Sequence, residues 1–289
     1  MRFVLAPGWV KTAEDARKFR TAPISAITMG SYTPKPMLGN QGGRNFHHDD
    51  DFNVVLNSIG LKNNGIEAGR EEVAKVSAEL ADTTINVETS FAGFSVRDFI
   101  AFVESHAGAS LPKFNFGCPN GFNADGTPKR IMSFDIRAMD AVLSRAEKVF
   151  AGGILKVKVK VSPFSDPYQL KDTAELFNAY SNLIAAVIPN TFPLCLAFNE
   201  DGTPFLEVSG GLGGLSGRCM KPITLGQVAQ FRKHLHANVG VGAAGGMHNG
   251  IDARDAKLAG ASSVHIGSRA FVQGPRAIAQ IVEEYAQYA

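Results

Sequence analysis

Leu111-Pro112-Lys113-Phe114-Asn115-Phe116-Gly117-Cys118-Pro119-Asn120 is the stretch on which the reading of the fold turns. An apolar run from Leu111 to Phe116 empties into Asn115, Cys118, Pro119 and Asn120, the pattern of a short strand whose C-terminal end carries polar and reactive side chains. A thiol between two carboxamides adds little to a packed core. Facing a ligand, the same three groups can hold a flat polar ring beside a base.

Outward from this point, short β-branched runs alternate with longer amphipathic segments. Candidate strands are Ala26 to Met29, Val54 to Leu56, Ile85 to Glu88, Lys113 to Asn115, Leu155 to Lys160, Ala185 to Ile188, Val239 to Gly242 and Ser263 to Ile266. Helical spacing of apolar residues marks Glu71 to Leu80, Val96 to His106, Asp135 to Phe150, Leu170 to Tyr180, Leu225 to Leu235 and Gly250 to Leu258. Strand-helix alternation implies parallel strands joined by crossovers, and eight repeats predict a closed (β/α)8 TIM barrel of the α/β class rather than an open doubly wound sheet. At 289 residues the chain suits one such domain, spanning 1–289.

Composition narrows the function. The 29 basic and 27 acidic residues are spread along the chain, so no basic block points to nucleic acid or an anionic membrane. Cys118, Cys195 and Cys219 are odd in number and lack CxxC spacing, which argues against a disulfide framework and against a zinc or iron-sulfur site, and fits a reducing compartment. Met1 to Arg20 has no signal-peptide core, and no stretch approaches the roughly 20 apolar residues of a spanning helix. The expectation is a soluble, cytoplasmic protein.

Polar residues cluster just after the strands: Asn57, Ser58 and Gly60 after the second, Asn115 to Asn120 after the fourth, Ser162 and Pro163 after the fifth, Asn190 and Thr191 after the sixth. In a parallel barrel these points share one rim, where active sites lie. Any one asparagine also suits a turn or cap for local reasons; the joint placement favours a ligand. Gly210, Gly211, Gly213, Gly214 and Gly217 precede Lys221, Gly245 and Gly246 follow the seventh strand, and Gly267 with Ser268 follows the eighth. Glycines let backbone amides approach an anion, and barrels bind phosphate after strands seven and eight. A phosphorylated ligand or cofactor is implied, against the plainer reading of tight turns.

Lys156, Lys158 and Lys160 alternate along one strand face. Lys156 and Lys158 are expected ahead of the regular strand, leaving Lys160 pointing into the mouth, where a reduced flavin with negative charge near N1 would partner it; a solvated edge is the alternative. The segment Gly39 to Phe52, with His47, His48 and three aspartates, reads as a solvated loop rather than a metal site, because consecutive ligands cannot all face one ion. His106, His234, His236, His248 and His265 lack paired ligand spacing and read as structural.

Taken together, Asn57-Ser58-Ile59-Gly60-Leu61 with Asn63 and Asn64, Asn115 through Asn120, Val159-Lys160-Val161, Gly210 through Pro222, Gly245-Gly246 and His265-Ile266-Gly267-Ser268 make the chain resemble the class 1 dihydroorotate dehydrogenases from about Ala6 to Tyr285. The resemblance implies a soluble FMN-dependent barrel of pyrimidine (UMP) biosynthesis. It implies Cys118 as the general base that removes the C5 proton of dihydroorotate. Asn57, Asn115, Asn120 and Asn190 match the carboxamides that hold the pyrimidine and its carboxylate, with Ile59, Gly60, Leu61 and Thr191 beside them. Lys35, after a one-residue shift, and Asn115 match contacts to both flavin and substrate. Lys160 matches the flavin lysine. Ala6, Gly8, Gly214, Gly217, Gly245, Gly246, Gly267 and Ser268 match the remaining flavin, ribityl and phosphate contacts. Departures stand at Lys62, where relatives usually have proline, at Gly117, where many have serine, and at Pro189 before Asn190.

For partners, the resemblance implies a homodimer that reduces fumarate, as Ser162-Pro163-Phe164-Ser165-Asp166 suggests, or association with an iron-sulfur flavoprotein subunit that passes electrons to NAD, toward which Gly213-Gly214-Leu215-Ser216-Gly217 leans. Two other functions stay open: an FMN oxidoreductase acting on another cyclic amide such as dihydrouracil, and a non-catalytic barrel serving as a binding subunit.

Overall fold

Alternation of valine and lysine through Val157–Val161 sends the two residue types to opposite faces of a strand. In the computed structural model the valines join the apolar layer under the helices, while Lys158 and Lys160 turn to the inside of a barrel. The structure describes residues 1–105, 112–123, 125–150 and 156–288. Leu111, Leu155 and His106, expected in the quoted run, at a strand start and at a helix end, lie outside the described residues.

In chain order the described strands are β1 (Arg2–Leu5), β2 (Ala26–Tyr32), β3 (Phe46–His48), β4 (Val55–Asn57), β5 (Asn86–Ala92), β6 (Pro112–Asn115), β7 (Val157–Val161), β8 (Ile184–Pro189), β9 (Phe192–Cys195), β10 (Gly213–Ser216), β11 (Gly240–Ala244) and β12 (Ser263–Ile266). Parallel pairing closes a barrel in the order β1-β2-β5-β6-β7-β8-β11-β12, with helices on the outside between successive strands. The expected (β/α)8 barrel is therefore present. A second sheet, β3-β4-β10-β9, is antiparallel.

One strand is reassigned. Val54 to Leu56 was expected in the barrel, but β4 pairs antiparallel with β3 and β10, and the barrel position belongs to β1, which pairs with β12 and β2. A three-residue apolar run fits either kind of pairing equally well, so its sequence does not choose between them. The segment expected as a solvated loop contains β3, and the Asp49 carboxylate closes the following turn by accepting from the Asn53 and Val54 amides at 2.7 and 3.0 Å.

All six expected helical segments are helical, with the first starting earlier, at Gly65, and the fifth at Lys221. Helices Ala13–Arg17, Ser268–Gln273 and Pro275–Ala286 complete the outer layer. The first is held by a reciprocal cap between Thr12 and Asp15, the last begins on Pro275, and both are short-range devices that satisfy or dispense with otherwise unpaired amides.

The barrel's inside departs from the branched apolar filling usual in this architecture. Lys158, expected ahead of the strand, is its second residue, buried and paired with Glu88 of β5. Lys113 of β6 meets the same carboxylate at 3.0 Å, and Lys156 stays exposed before the strand.

Candidate active site

Parallel register decides which side chains meet at the barrel mouth. Asn115 ends β6 opposite Lys160 of β7, and Asn190 follows β8 with its amide bonded to the Val161 carbonyl at 2.7 Å. Between Asn115 and Cys118 the chain turns at Gly117, whose amide donates to the Lys160 carbonyl at 3.1 Å. A Cβ at Gly117 would lie 2.4 Å from the Ser162 nitrogen, so backbone contact with the end of β7 explains the glycine there.

The four asparagines form two pairs. Asn190 Nδ2 donates to Asn115 Oδ1 at 3.0 Å and to the Gly117 carbonyl at 2.7 Å, while its Oδ1 accepts from the Thr191 amide at 2.8 Å. Asn115 Nδ2 in turn donates to Ser31 Oγ at 3.1 Å, and Ser31 pairs with Ser90 at 2.7 Å. On the other side, Asn120 Nδ2 donates to Asn57 Oδ1 at 2.7 Å and Asn57 Nδ2 to the Gly214 carbonyl at 3.3 Å. Such chains fix each amide's orientation, so its free edge is presented without a further ordering cost.

Both pairs and Cys118 border a cavity of about 240 Å³. Its wall also takes in Ile59, Gly60, Leu61, Thr191, Ala6, Gly8, Lys160, Gly217, Gly245, Gly246, Gly267 and Ser268. Two expected residues are elsewhere. Lys35 is exposed and outside the lining, in a turn where Thr33 Oγ1 donates to its carbonyl at 2.7 Å; Gly30 and Ser31, near the end of β2, form the wall there instead. Gly214 lies behind Thr191, where a Cβ would come within 2.4 Å of the threonine hydroxyl, so it seats that residue rather than facing the cavity.

Other lining residues were not anticipated. Ser31 follows the Ala26 to Met29 strand and was open to the same reading as the other strand-end polar groups. Trp9 follows β1, the strand that the sequence did not reveal, and stacks on Phe271 at 3.8 Å between ring centroids. His248 and His265, read as structural, both reach the wall, together with Lys11 and Arg269, while Lys62, already singled out as a departure, lines it as well.

Charge is one-sided here. Lys11, Lys62, Lys160 and Arg269 line the cavity and no aspartate or glutamate does. Burial raises the Cys118 thiol above its ordinary range, and the Asn120 amide and the positive Lys160 only partly oppose it. Burial also draws Lys160 down to about 8, helped by Lys113 and opposed by Cys118. His265 is held far below the usual imidazole range by burial and then by Lys113, so its ring is neutral.

Four buried side-chain polar atoms among the described residues lack a partner: Trp9 Nε1, Asn120 Oδ1, His265 Nδ1 and Tyr285 Oη. The first three belong to residues of this one wall. Unpaired buried polar groups cost roughly 1–3 kcal/mol each, and their concentration here marks a place prepared for a polar occupant.

A profile of the dihydroorotate dehydrogenase family matches residues 2–288. The chain belongs to the dihydroorotate dehydrogenase family. Among its relatives, the putative dihydroorotate dehydrogenase A (fumarate) of Streptococcus agalactiae serotype V is 28% identical over 276 residues, covering 94% of this chain and 84% of that protein. The probable dihydroorotate dehydrogenase A (fumarate) of Enterococcus faecalis is 25% identical over 281 residues, covering 94% and 85%. In fold, the chain is similar to the DHODH of Eimeria tenella solved with ferulenol, at a TM-score of 0.81 and 20% identity over 100% of this chain and 81% of that one. The ligand-free Eimeria tenella structure gives 0.76 at 20% identity, covering 98% and 83%. Members of the dihydroorotate dehydrogenase family thus share both the barrel and nearly the full length of this chain.

Proposed function

We propose that this chain is an FMN-dependent enzyme of pyrimidine biosynthesis that oxidises dihydroorotate to orotate, with Cys118 as general base. The observation that carries the reading is the convergence of Cys118, the two asparagine pairs and Lys160 on one cavity without a carboxylate, in a chain of this family. The cavity fits FMN by three features: its unpaired polar atoms, its excess of cations, and the glycines after β11 and β12 that leave backbone amides open to a phosphate. Lys160, Ala6, Gly8, Gly217, Gly245, Gly246, Gly267 and Ser268 would hold it.

Oxidation removes a proton from C5 of the substrate and a hydride from C6. When bound, FMN supplies the hydride acceptor. Cys118, as thiolate, takes the proton and becomes the neutral thiol. The carboxamides of Asn57, Asn115, Asn120 and Asn190 present donors and acceptors in fixed orientation to a flat cyclic imide, which favours the planar product-like geometry. Lys62 adds a cation at the mouth beside Ile59, Gly60 and Leu61, suited to the substrate carboxylate.

The names of the relatives favour fumarate as the electron acceptor, and a homodimer without an iron-sulfur flavoprotein subunit is the assembly proposed with it. Exposed Leu194, Leu196 and Phe198, on the edge strand β9 and the hairpin beyond it, offer apolar surface for a second copy. No described helix is long and apolar enough to cross a membrane, and the cytoplasm is the proposed location.

The test is an anaerobic visible spectrum of the purified protein before and after dihydroorotate. A flavin spectrum that bleaches is the expected result. Flavin that stays oxidised with dihydroorotate but bleaches with dihydrouracil overturns the substrate, and protein that takes up no FMN overturns the enzyme reading.

A further inference from the structure

Beneath the cavity floor, the barrel interior carries an ionic layer that none of the proposed chemistry uses. Glu88 accepts from Lys113 Nζ at 3.0 Å and from Thr28 Oγ1 at 3.2 Å, and its other oxygen is paired with Lys158. Lys113 Nζ also donates to Thr28 Oγ1 at 2.9 Å, and all four side chains are buried. The location follows from register. Lys113 faces Lys158 across β6 and β7, and two residues further along, on the same inner face, Asn115 faces Lys160 at the cavity wall. The ionic layer is therefore the next one down from the site.

Its charges do not cancel. Two lysines face a single carboxylate, Lys160 above adds another cation, and the neighbouring His265 is neutral. Replacing such a buried cluster by well-packed apolar residues commonly costs nothing in stability, so stability alone gives no reason for it. In a weakly polarisable interior the uncompensated charge is felt strongly at the next layer.

We propose that Glu88, Lys113 and Lys158 are positioning residues that impose a net positive potential on the cavity floor, and thereby favour the reduced, negatively charged flavin over the oxidised one. The proposal rests on the FMN reading above. The groups that share this field are Lys160 on β7, Asn115 and Cys118 at and after β6, His265 on β12, and Arg2 at the start of β1, which adds to the positive charge acting on Lys113. Removing a positive charge from the layer weakens the preference for the reduced flavin; removing the negative one strengthens it. Opposite signs from two neighbouring substitutions are a signature that loosened packing does not produce.

The experiment is the spectroelectrochemical midpoint of FMN-loaded protein, measured below the Lys160 titration, for Lys113→Met, Glu88→Gln and the double variant. Lys113→Met is expected to lower the ratio of reduced to oxidised affinity about tenfold, or about 30 mV for a two-electron couple, and Glu88→Gln to raise it by a similar factor. The double variant, which keeps the layer's net charge, is expected within about threefold of wild type. If Lys113→Met does not fold, Glu88→Gln and the double variant still carry the sign. Single-variant shifts of the same sign, or none beyond threefold, overturn the proposal.

A second arm needs no flavin. Titration of the Lys160 side chain by NMR in flavin-free protein is expected to show a higher midpoint in Lys113→Met than in wild type. An unmoved midpoint overturns the role of the layer even if FMN binds as expected. Failure to take up FMN, with the midpoint moved, overturns the functional reading and leaves the electrostatic coupling standing.

Discussion

Cys118 stands between opposing influences, and burial wins over the Asn120 amide and Lys160, so the thiol is mostly protonated near neutrality. A base must first be ionised. The rate of flavin reduction is therefore expected to climb with pH as the thiolate forms. Lys160 works the other way: it loses its charge as pH passes about 8, and with it the attraction for an anionic occupant. The expected kcat/KM profile is a bell with its optimum on the alkaline side of neutrality, read by stopped-flow reduction at each pH. Cys118→Ser should keep FMN and lose about 10²–10⁴-fold in reduction rate; a flat pH profile, or a Ser variant as fast as wild type, would remove the thiol from its role. Two lysines give a sharper contrast. Lys62 lines the mouth and Lys35 does not, so Lys62→Ala should raise KM for a carboxylate substrate with kcat little changed, while Lys35→Ala leaves both as they were. The meeting of Cys118 and the asparagines on one wall was legible because they follow several strands at once, and the strand ends of a parallel barrel share a rim, whereas any one of them alone would suit a turn or cap. Lys35 misled because sequence spacing does not show which way a turn points its side chains, and His265 was missed because one histidine inside an apolar strand has no spacing to read.

At the level of elements, strand-helix alternation was legible because it depends on local periodicity, and the barrel follows from counting repeats. What it did not reveal was partnership. Val54 to Leu56 and the Arg2–Leu5 strand are both short apolar runs, and only long-range pairing sends the first to an antiparallel sheet and the second into the barrel. The inner face of β7 was misjudged for a related reason: Lys158 looks misplaced until Glu88, from a strand not adjacent in the sheet, is brought opposite it. These interior charges make a stability prediction. Glu88→Ala leaves Lys113 and Lys158 buried without their shared carboxylate and should cost about 3–5 kcal/mol, measured by chemical unfolding, whereas Glu88→Gln with Lys113→Met, which leaves Lys158 without Lys113 as a like-charged neighbour, should cost clearly less than the sum of its parts. Strict additivity of the two would mean that the ion pair carries no coupling. Gly117 sets a limit of another kind. A side chain there meets the Ser162 nitrogen, so Gly117→Ser should lower stability and displace Cys118 together, even though serine is small.

For the whole molecule, the buried imidazoles connect the fold to pH. Burial draws His248 down to about 4, with Arg269 and Arg218 adding to the effect against Asp252, and His265 lies well below its ordinary value. Both are neutral in the folded chain and titrate near 6.5 once unfolded. Between those limits the unfolded chain binds more protons, so stability is full above the unfolded value and is lost as pH falls toward the folded ones. At about 1.4 kcal/mol per unit, His248 alone is worth on the order of 3 kcal/mol across that window. Glu88, ionised in the fold because Lys113 and Lys158 outweigh its burial, adds a further loss at pH below the ordinary carboxylate range. Thermal unfolding is thus expected to show a Tm falling steadily as pH drops from neutrality toward 4, and His265→Asn, a polar group of similar reach without a titration, should flatten the upper part of that slope. FMN should oppose the loss by mass action, by about 2.7 kcal/mol at a hundredfold excess over Kd. The same Tm at pH 7 and pH 5 in the flavin-free protein would mean that these histidines are solvated or charged in the fold, and the neutral His265 beside the ionic layer would have to be abandoned with them.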